Sequence, residues 1–231
     1  MRRVLVSGTT RGLGRYLAEH FLAQGDLVTG CARGKASFVH PNYIHHQLDV
    51  TNDAAVDRLF ENLRTGWGTI DALINNAGTA SMNAFALTPP ASMRQVMDTN
   101  FVAAALLTHR AIRLLRKSPA GRIVNLTTIA VPLRLEGEAI YAASKAALEM
   151  LTRVVAKEIG PMGITCNAVG PSVIKTALTQ GVPAPRLEQL VQSQAIRREA
   201  TGADVANVID FFLRPESALV TGQIVYLGGH S

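Results

Sequence analysis

The first fourteen residues constrain this chain more than any other stretch. Arg2 to Ser7 has the pattern of a short buried strand, Gly8-Thr-Thr-Arg-Gly12-Leu-Gly14 is a glycine-rich turn, and Leu13, Leu17, Phe21 and Leu22 open a helical pattern. Strand, glycine turn and helix predict a βα unit. The glycines permit a tight turn and close backbone approach. The helix start adds amides and the positive end of the dipole, so the unit suits a phosphate. The spacing is Gly-x-x-x-Gly-x-Gly, and a glycine turn also occurs for chain geometry alone. Its position, opening the first βα unit, is what favours the phosphate site.

Further strand patterns lie at Leu27–Ala32, Tyr43–Leu48, Asp71–Gly78, Gly121–Thr128, Gly163–Val169 and Gln223–Leu227. Helical patterns fall between them at Asp53–Leu63, Ala91–Arg116, from Tyr141 to Ile159, and Ala203–Leu213. This alternation predicts an α/β domain, a parallel sheet with helices on both faces. The 231 residues supply one substantial core, so a single domain over 1–231 is expected. A 48% hydrophobic and 17% charged composition excludes a disordered chain. Between Thr176 and Arg198 the pattern weakens around Gly181, Pro183 and Pro185. A lid over 176–198 with a short helix from Arg186 to Gln194 is expected there.

No apolar run is long enough to span a bilayer and the N-terminus does not read as a signal peptide, so the expectation is a soluble, cytoplasmic protein with no membrane partner. The net charge of +6 fits either an ordinary soluble surface or attraction for acidic ligands. The basic residues are scattered, so no nucleic-acid partner is expected. Cys31 and Cys166 both sit in strand patterns and read as small core residues. The six histidines show no ligand spacing, and no metal is expected.

Several positions carry chemistry. The strand ending at Ala32 is followed by Arg33 and Lys35, with no carboxylate, and Arg11 lies in the glycine turn. An acid there would bind a free ribose 2′-hydroxyl and repel a 2′-phosphate. The cations predict NADP(H) over NAD(H), unless they are simply solvated. Tyr141-Ala-Ala-Ser-Lys145 sets a tyrosine and a lysine on one helix face. A cation beside a phenol favours the phenolate and brings it into working range. Asn75-Asn76-Ala77-Gly78 ends a strand, where asparagine amides satisfy backbone groups and glycine permits a tight exit. Asn100 stands inside a helical pattern, where asparagine is a middling choice. Thr127 and Thr128 end another strand with two hydroxyls.

Taken in order, the Gly8/Gly12/Gly14 turn, Asp49-Val50, Asn75 to Gly78, Asn100, Thr128, Tyr141, Lys145 and Asn167-Ala-Val-Gly-Pro171 followed by Thr176 resemble the short-chain dehydrogenase/reductases over nearly the whole chain. The resemblance implies a Rossmann-type, doubly wound, seven-stranded parallel sheet in the order 3-2-1-4-5-6-7. In that order Cys31 and Cys166 lie roughly 19 Å apart, too far for a disulfide. It implies Tyr141 as general acid in ketone reduction and Lys145 as the group that binds the nicotinamide ribose and lowers the tyrosine pKa. Thr128 would polarise the carbonyl, and Asn100 would hold a relay water. Gly8, Thr10, Arg11, Gly12, Leu13, Gly14 and Arg33 would bind the pyrophosphate and adenosine phosphate. Asp49 and Val50 would meet adenine, Asn76, Ala77 and Gly78 the adenosine side, and Pro171, Ile174 and Thr176 the carboxamide end. It also implies a small carbonyl or alcohol substrate and a homo-oligomer, tetramer or dimer.

Three departures stand out: Thr128 where serine is usual, Ser7 where threonine is usual, and Ser172 where a glycine usually follows Pro171. The last is expected to alter the floor near the nicotinamide. Reductases of carrier-bound 3-oxoacyl groups often carry an arginine just before the Gly-Ile-Thr here numbered 163–165. This chain has Pro161-Met162, which disfavours a carrier-bound substrate. Arg134 borders the expected substrate mouth, either to meet an anionic group or as a solvated charge. The leading expectation is an NADPH-dependent ketone reductase, possible substrates including 3-oxoacyl groups. Its alternatives are alcohol oxidation on a non-acyl small molecule and an NADP-binding regulator or scaffold without catalysis.

Overall fold

The computed structural model describes residues 1–80, 82–174 and 182–229. Strand β1 (Arg3–Ser7) passes through the glycine turn into α1 (Gly12–Ala23), followed by β2 (Leu27–Ala32), β3 (Tyr43–Gln47), α2 (Asp53–Gly66) and β4 (Ala72–Asn75). Helices α3 (Pro90–Met97) and α4 (Ala103–Leu115) come next, joined by a π-helical turn over Asp98–Val102. Then follow β5 (Arg122–Leu126), the single turn α5 (Ala130–Leu133), α6 (Ala139–Ile159), β6 (Thr165–Gly170), α7 (Ala184–Ser193), α8 (Gly202–Leu213) and β7 (Ile224–Tyr226).

The seven strands form one parallel sheet in the order β3-β2-β1-β4-β5-β6-β7, the order expected. Side chains alternate between its faces along each strand. Leu5, Leu73, Ile123 and Cys166 pack with Leu59 of α2, Leu107 of α4 and Ile159 of α6. Val4, Val6, Ile74, Val124 and Val169 pack with Leu17 and Phe21 of α1 and Ile209 and Phe212 of α8. Covering both faces is why the central strands read as unbroken apolar runs. Each large side chain buried this way contributes about 1.5–3 kcal/mol. Both cysteines are free and buried, as expected. Among the described residues, no helix is long and apolar enough to cross a membrane.

Two elements differ from the sequence reading. The single helix expected over Ala91–Arg116 is three segments, because the π turn interrupts it and carries Asn100 inward to complete burial. The helix expected from Arg186 begins earlier, at Ala184, with proline in its first turn. Pro185 there costs nothing, since a first-turn N–H has no intrahelical partner. Of the expected lid, residues 176–181 lie outside the described residues.

Candidate active site

The glycine turn is held by its neighbours. Gly8 and Gly12 have φ of +80° and +57°, where a side chain is strained. The Gly8 N–H donates to the Cys31 carbonyl at 2.7 Å. A Cβ on Gly14 would lie 2.2 Å from the Gly8 carbonyl oxygen and 2.3 Å from Asn76 Nδ2, so only glycine lets α1 approach this closely. Asn76 Nδ2 donates to the Ser7 carbonyl at 2.8 Å, while Ser7 Oγ accepts from the N–H groups of Asn76 and Ala77, both at 3.0 Å. The ends of β1 and β4 are thereby tied together. Helix α1 has no acid in its first turn and no side-chain cap. Its leading amides are therefore answered by no side chain, and the cradle fits a pyrophosphate.

The π turn has a local reason. It places Asn100 between the exit of β4 and α6, where Nδ2 donates to the Thr79 carbonyl at 2.9 Å and to Ser144 Oγ at 3.0 Å. Oδ1 accepts from the Thr79 N–H at 2.8 Å. Ser144 Oγ in turn donates to the Tyr141 carbonyl at 2.7 Å. Asn100 thus frames the turn of α6 that carries Tyr141 and Lys145.

Lys145 is buried, and its ammonium donates to the Leu126 carbonyl at 2.7 Å, with no carboxylate within 4.0 Å among the described residues. Burial pushes it down to about 8. Among the described residues, one of its three donors has a protein acceptor, so further donors can face ligand hydroxyls. Gly78 keeps the space beside it open: a Cβ there would lie 3.5 Å from Lys145 Nζ and 3.3 Å from Asn100 Oδ1.

The buried charge has a consequence for stability. The folded state binds the Lys145 proton less tightly than the unfolded state, its pKa falling from the ordinary 10.5 to about 8. The penalty is complete below pH 8 and is relieved as pH rises towards 10.5. Wild type should therefore gain about 3 kcal/mol relative to Lys145→Met between pH 7 and pH 10.5. Urea denaturation of both proteins across that range checks this, and parallel profiles would refute it.

Burial pushes the Tyr141 phenol up to about 12; a hydrogen bond with the Thr128 side chain opposes the rise and the Glu138 charge adds to it. The sequence reading expects the neighbouring cation to lower this phenol. Here burial dominates, so the phenol is protonated at neutral pH, the form that can give a proton. Thr128 Oγ1 is itself fixed by the Ala130 N–H at 3.2 Å.

Arg11, Arg33 and Lys35 are all exposed near the same edge of the sheet. Thr10 packs against Gly34, whose Cβ would lie 3.3 Å from Thr10 Cγ2. Asp49 accepts from Thr51 N–H at 2.9 Å and Oγ1 at 2.8 Å. Burial would raise its carboxyl, but those bonds and the Arg33 charge hold it below the usual value. Arg33, Asp49, Arg94 and Asp98 line a hollow of about 370 Å³. Val50 is buried beside Asp49, and Pro171 and Ile174 follow the end of β6. Leu13 packs against the core beneath the glycine turn. The described candidates therefore share the C-terminal edge of the sheet, while Thr176 lies outside the described residues.

Sequence reasoning missed Ser144, Glu138 and Arg186. Ser144 sits inside the Tyr141–Lys145 spacing and was legible only as a small residue. Glu138 stands one turn before Tyr141; burial pushes its carboxyl up, opposed by the charge of Arg186. The Arg186 guanidinium donates to the Glu136 carbonyl, bringing α7 over the loop that leads to Tyr141. Among the described residues, no group of three His, Cys, Asp or Glu side chains is placed to hold a metal.

A doubly wound parallel sheet with a glycine cradle and a tyrosine–lysine helix on one edge defines a dinucleotide-binding fold of the Rossmann class. The family model described as enoyl-(acyl carrier protein) reductase matches residues 8–229, and the chain belongs to that family, within the short-chain dehydrogenase/reductases. It is similar to the 3-oxoacyl-[acyl-carrier-protein] reductases FabG of Salmonella typhimurium and Escherichia coli, each 28% identical over 97% of this chain and 95% of theirs. MabA of Mycobacterium bovis, of the same description, is 27% identical over 99% of this chain and 92% of its own. Ligand-free aldohexose dehydrogenase of Thermoplasma acidophilum superposes with a TM-score of 0.90 at 26% identity, covering 99% of this chain and 93% of that one. Membership makes the protein an oxidoreductase of ketones or alcohols with a nicotinamide cofactor.

Proposed function

We propose that the protein is an NADPH-dependent ketone reductase with Tyr141 as general acid. The placement of the Tyr141 phenol beside the Thr128 hydroxyl, one helical turn from the buried Lys145 ammonium, supports this reading. A bound nicotinamide supplies the hydride in reduction and accepts it in oxidation. Tyr141 gives its proton to the substrate oxygen, and Thr128 donates to the same oxygen and orients it. Lys145 donors beyond the one given to Leu126 take ribose hydroxyls, and its charge offsets the phenolate left behind. Asn100 has its amide committed to Thr79 and Ser144, and the second lone pair of Oδ1 could meet a relay water.

In this reading Gly8, Thr10, Arg11, Gly12, Leu13 and Gly14 enclose the pyrophosphate, and Asp49 and Val50 border the adenine. Asn76, Ala77 and Gly78 flank the adenosine side. Pro171 and Ile174, with Thr176 assigned from the sequence, meet the carboxamide end. Arg33, with Arg11 and Lys35 nearby, would take the 2′-phosphate. NADPH should bind at least about tenfold more tightly than NADH, and Arg33→Ala should remove most of that difference. Titration of both nucleotides by fluorescence checks it. Equal affinity in wild type would sink the NADP assignment.

The similarity to 3-oxoacyl reductases supports a 3-oxoacyl substrate, while Pro161-Met162 ahead of Gly163 supports a free small molecule. NADPH absorbance with a short 3-oxoacyl thioester and a panel of ketones separates these. Oxidation of an aldohexose with NADP⁺ tests the second reading, favoured by the structural neighbour. Loss of NADPH absorbance with none of these, despite tight nucleotide binding, would favour the regulator alternative only if Tyr141→Phe also changed nothing.

Homo-oligomer formation belongs to the same reading. Along α6, Ala143, Ala146, Met150 and Val154 are exposed, the last two by 58% and 46%. Val102, ahead of α4, is 49% exposed. An apolar stripe of this kind is suited to a second copy. Met150→Glu should shift the sedimenting species towards monomer, and a monomeric wild type at micromolar concentration would remove the idea.

A further inference from the structure

Helix α7 is anchored at both ends. Near its start, Arg186 donates to the Glu136 carbonyl, in the loop before Tyr141. Just past its end, Gln194 meets Ser172, the residue after Pro171. Ser172 Oγ donates to Gln194 Oε1 at 2.5 Å and accepts from the Val173 N–H at 2.6 Å. Both residues are buried, 7% and 3% exposed. Gln194 Nε2 donates to the Arg198 carbonyl at 3.4 Å, and a Cβ on Gly228 would lie 2.2 Å from Gln194 Oε1. The C-terminal turn thus closes over the amide. The sequence reading expects Ser172 to reshape the nicotinamide floor; its hydroxyl is instead committed to the end of α7. Arg134 is the one non-glycine with positive φ among the described residues, so position 172 has no conformational need for glycine.

We propose that Ser172 and Gln194 form a clasp that sets how α7 lies across the substrate opening, making Ser172 a positioning residue that governs substrate binding rather than the chemical step. The kinetic part rests on the carbonyl-reductase reading; the clasp itself does not. With glycine at 172, Gln194 Oε1 would remain buried without its hydroxyl donor. A buried acceptor without its donor favours opening of the segment that carries it.

Hydrogen exchange read by mass spectrometry on the full chain without ligand tests the clasp in wild type, Ser172→Gly, Ser172→Thr and Gln194→Leu. Amides over 184–194 should exchange about tenfold faster in Ser172→Gly and Gln194→Leu, with β1 and β4 unchanged. Ser172→Thr keeps the hydroxyl and should restore protection. KM for a carbonyl substrate should rise about tenfold in Ser172→Gly with kcat within about twofold. Unchanged exchange over 184–194 in both weakened variants overturns the clasp, and so does faster exchange spread equally over β1 and β4. Faster exchange confined to α7 with an unmoved KM overturns the positioning role. If wild type turns over no carbonyl, the function reading falls, while the exchange result still decides the clasp.

Discussion

Tyr141→Phe should lower kcat for carbonyl reduction by about 10²- to 10⁴-fold while leaving the NADPH dissociation constant within about twofold. The substitution removes one oxygen and keeps the ring. Its cost to the fold should be small, at most about 1 kcal/mol for one polar group. Its cost to the reaction, in the proposed mechanism, is the proton that the phenol gives to the substrate oxygen. The framing of α6 should survive, since Ser144 bonds the main-chain carbonyl of residue 141 rather than its side chain. Stopped-flow turnover alongside nucleotide titration checks both halves. A variant that kept wild-type kcat would move the acid elsewhere, with Glu138, whose carboxyl burial pushes up, the first group to examine.

Gly14→Ala should be the most damaging single methyl in the molecule. The added carbon would lie 2.2 Å from a main-chain oxygen, 2.3 Å from the Asn76 amide and 2.9 Å from the Gly8 carbonyl carbon. Main-chain atoms cannot swing aside as a flexible side chain would, so α1 must move off the turn. That movement strains the Asn76 bond to Ser7 and opens the cradle. We expect a loss of about 1–3 kcal/mol in stability and at least about a hundredfold in NADPH affinity. Gly66→Ala is the control. A Cβ there meets nothing within 4 Å and its φ is not positive, so the change should be neutral or stabilise by about 0.4–1 kcal/mol. Urea melts and nucleotide titration of both variants decide it; wild-type affinity in Gly14→Ala would mean that close approach is not the purpose of this glycine.

The fold was legible because its signals are local. The strand at Leu27–Ala32 was read to the residue, and its apolar run follows from burial on both faces of a parallel sheet. The members of the site were legible as positions in a spacing, but their bonds were not. Asn100 looked like a weak helix residue because its partners, Thr79 and Ser144, are 21 and 44 positions away. The upward push of burial on the Tyr141 phenol was illegible for a related reason. A lysine four residues on is visible in sequence, whereas the burial that outweighs it comes from packing. Ser172 was legible as an oddity; only its distance to Gln194 explains what the hydroxyl does.

The strand order also dictates a timetable for synthesis. β1 ends up at the centre of the β3-β2-β1-β4 half, and all four of those strands are complete by Asn75 of a 231-residue chain. A nascent chain leaving the ribosome can therefore close the half that carries the glycine turn before Thr128, Tyr141 or Lys145 has been made. Until β5 arrives, that half presents the unpaired edge of β4. An unpaired apolar edge is a template for pairing with another chain. A nucleotide that binds this half during translation would favour its closed form and shorten the life of that edge.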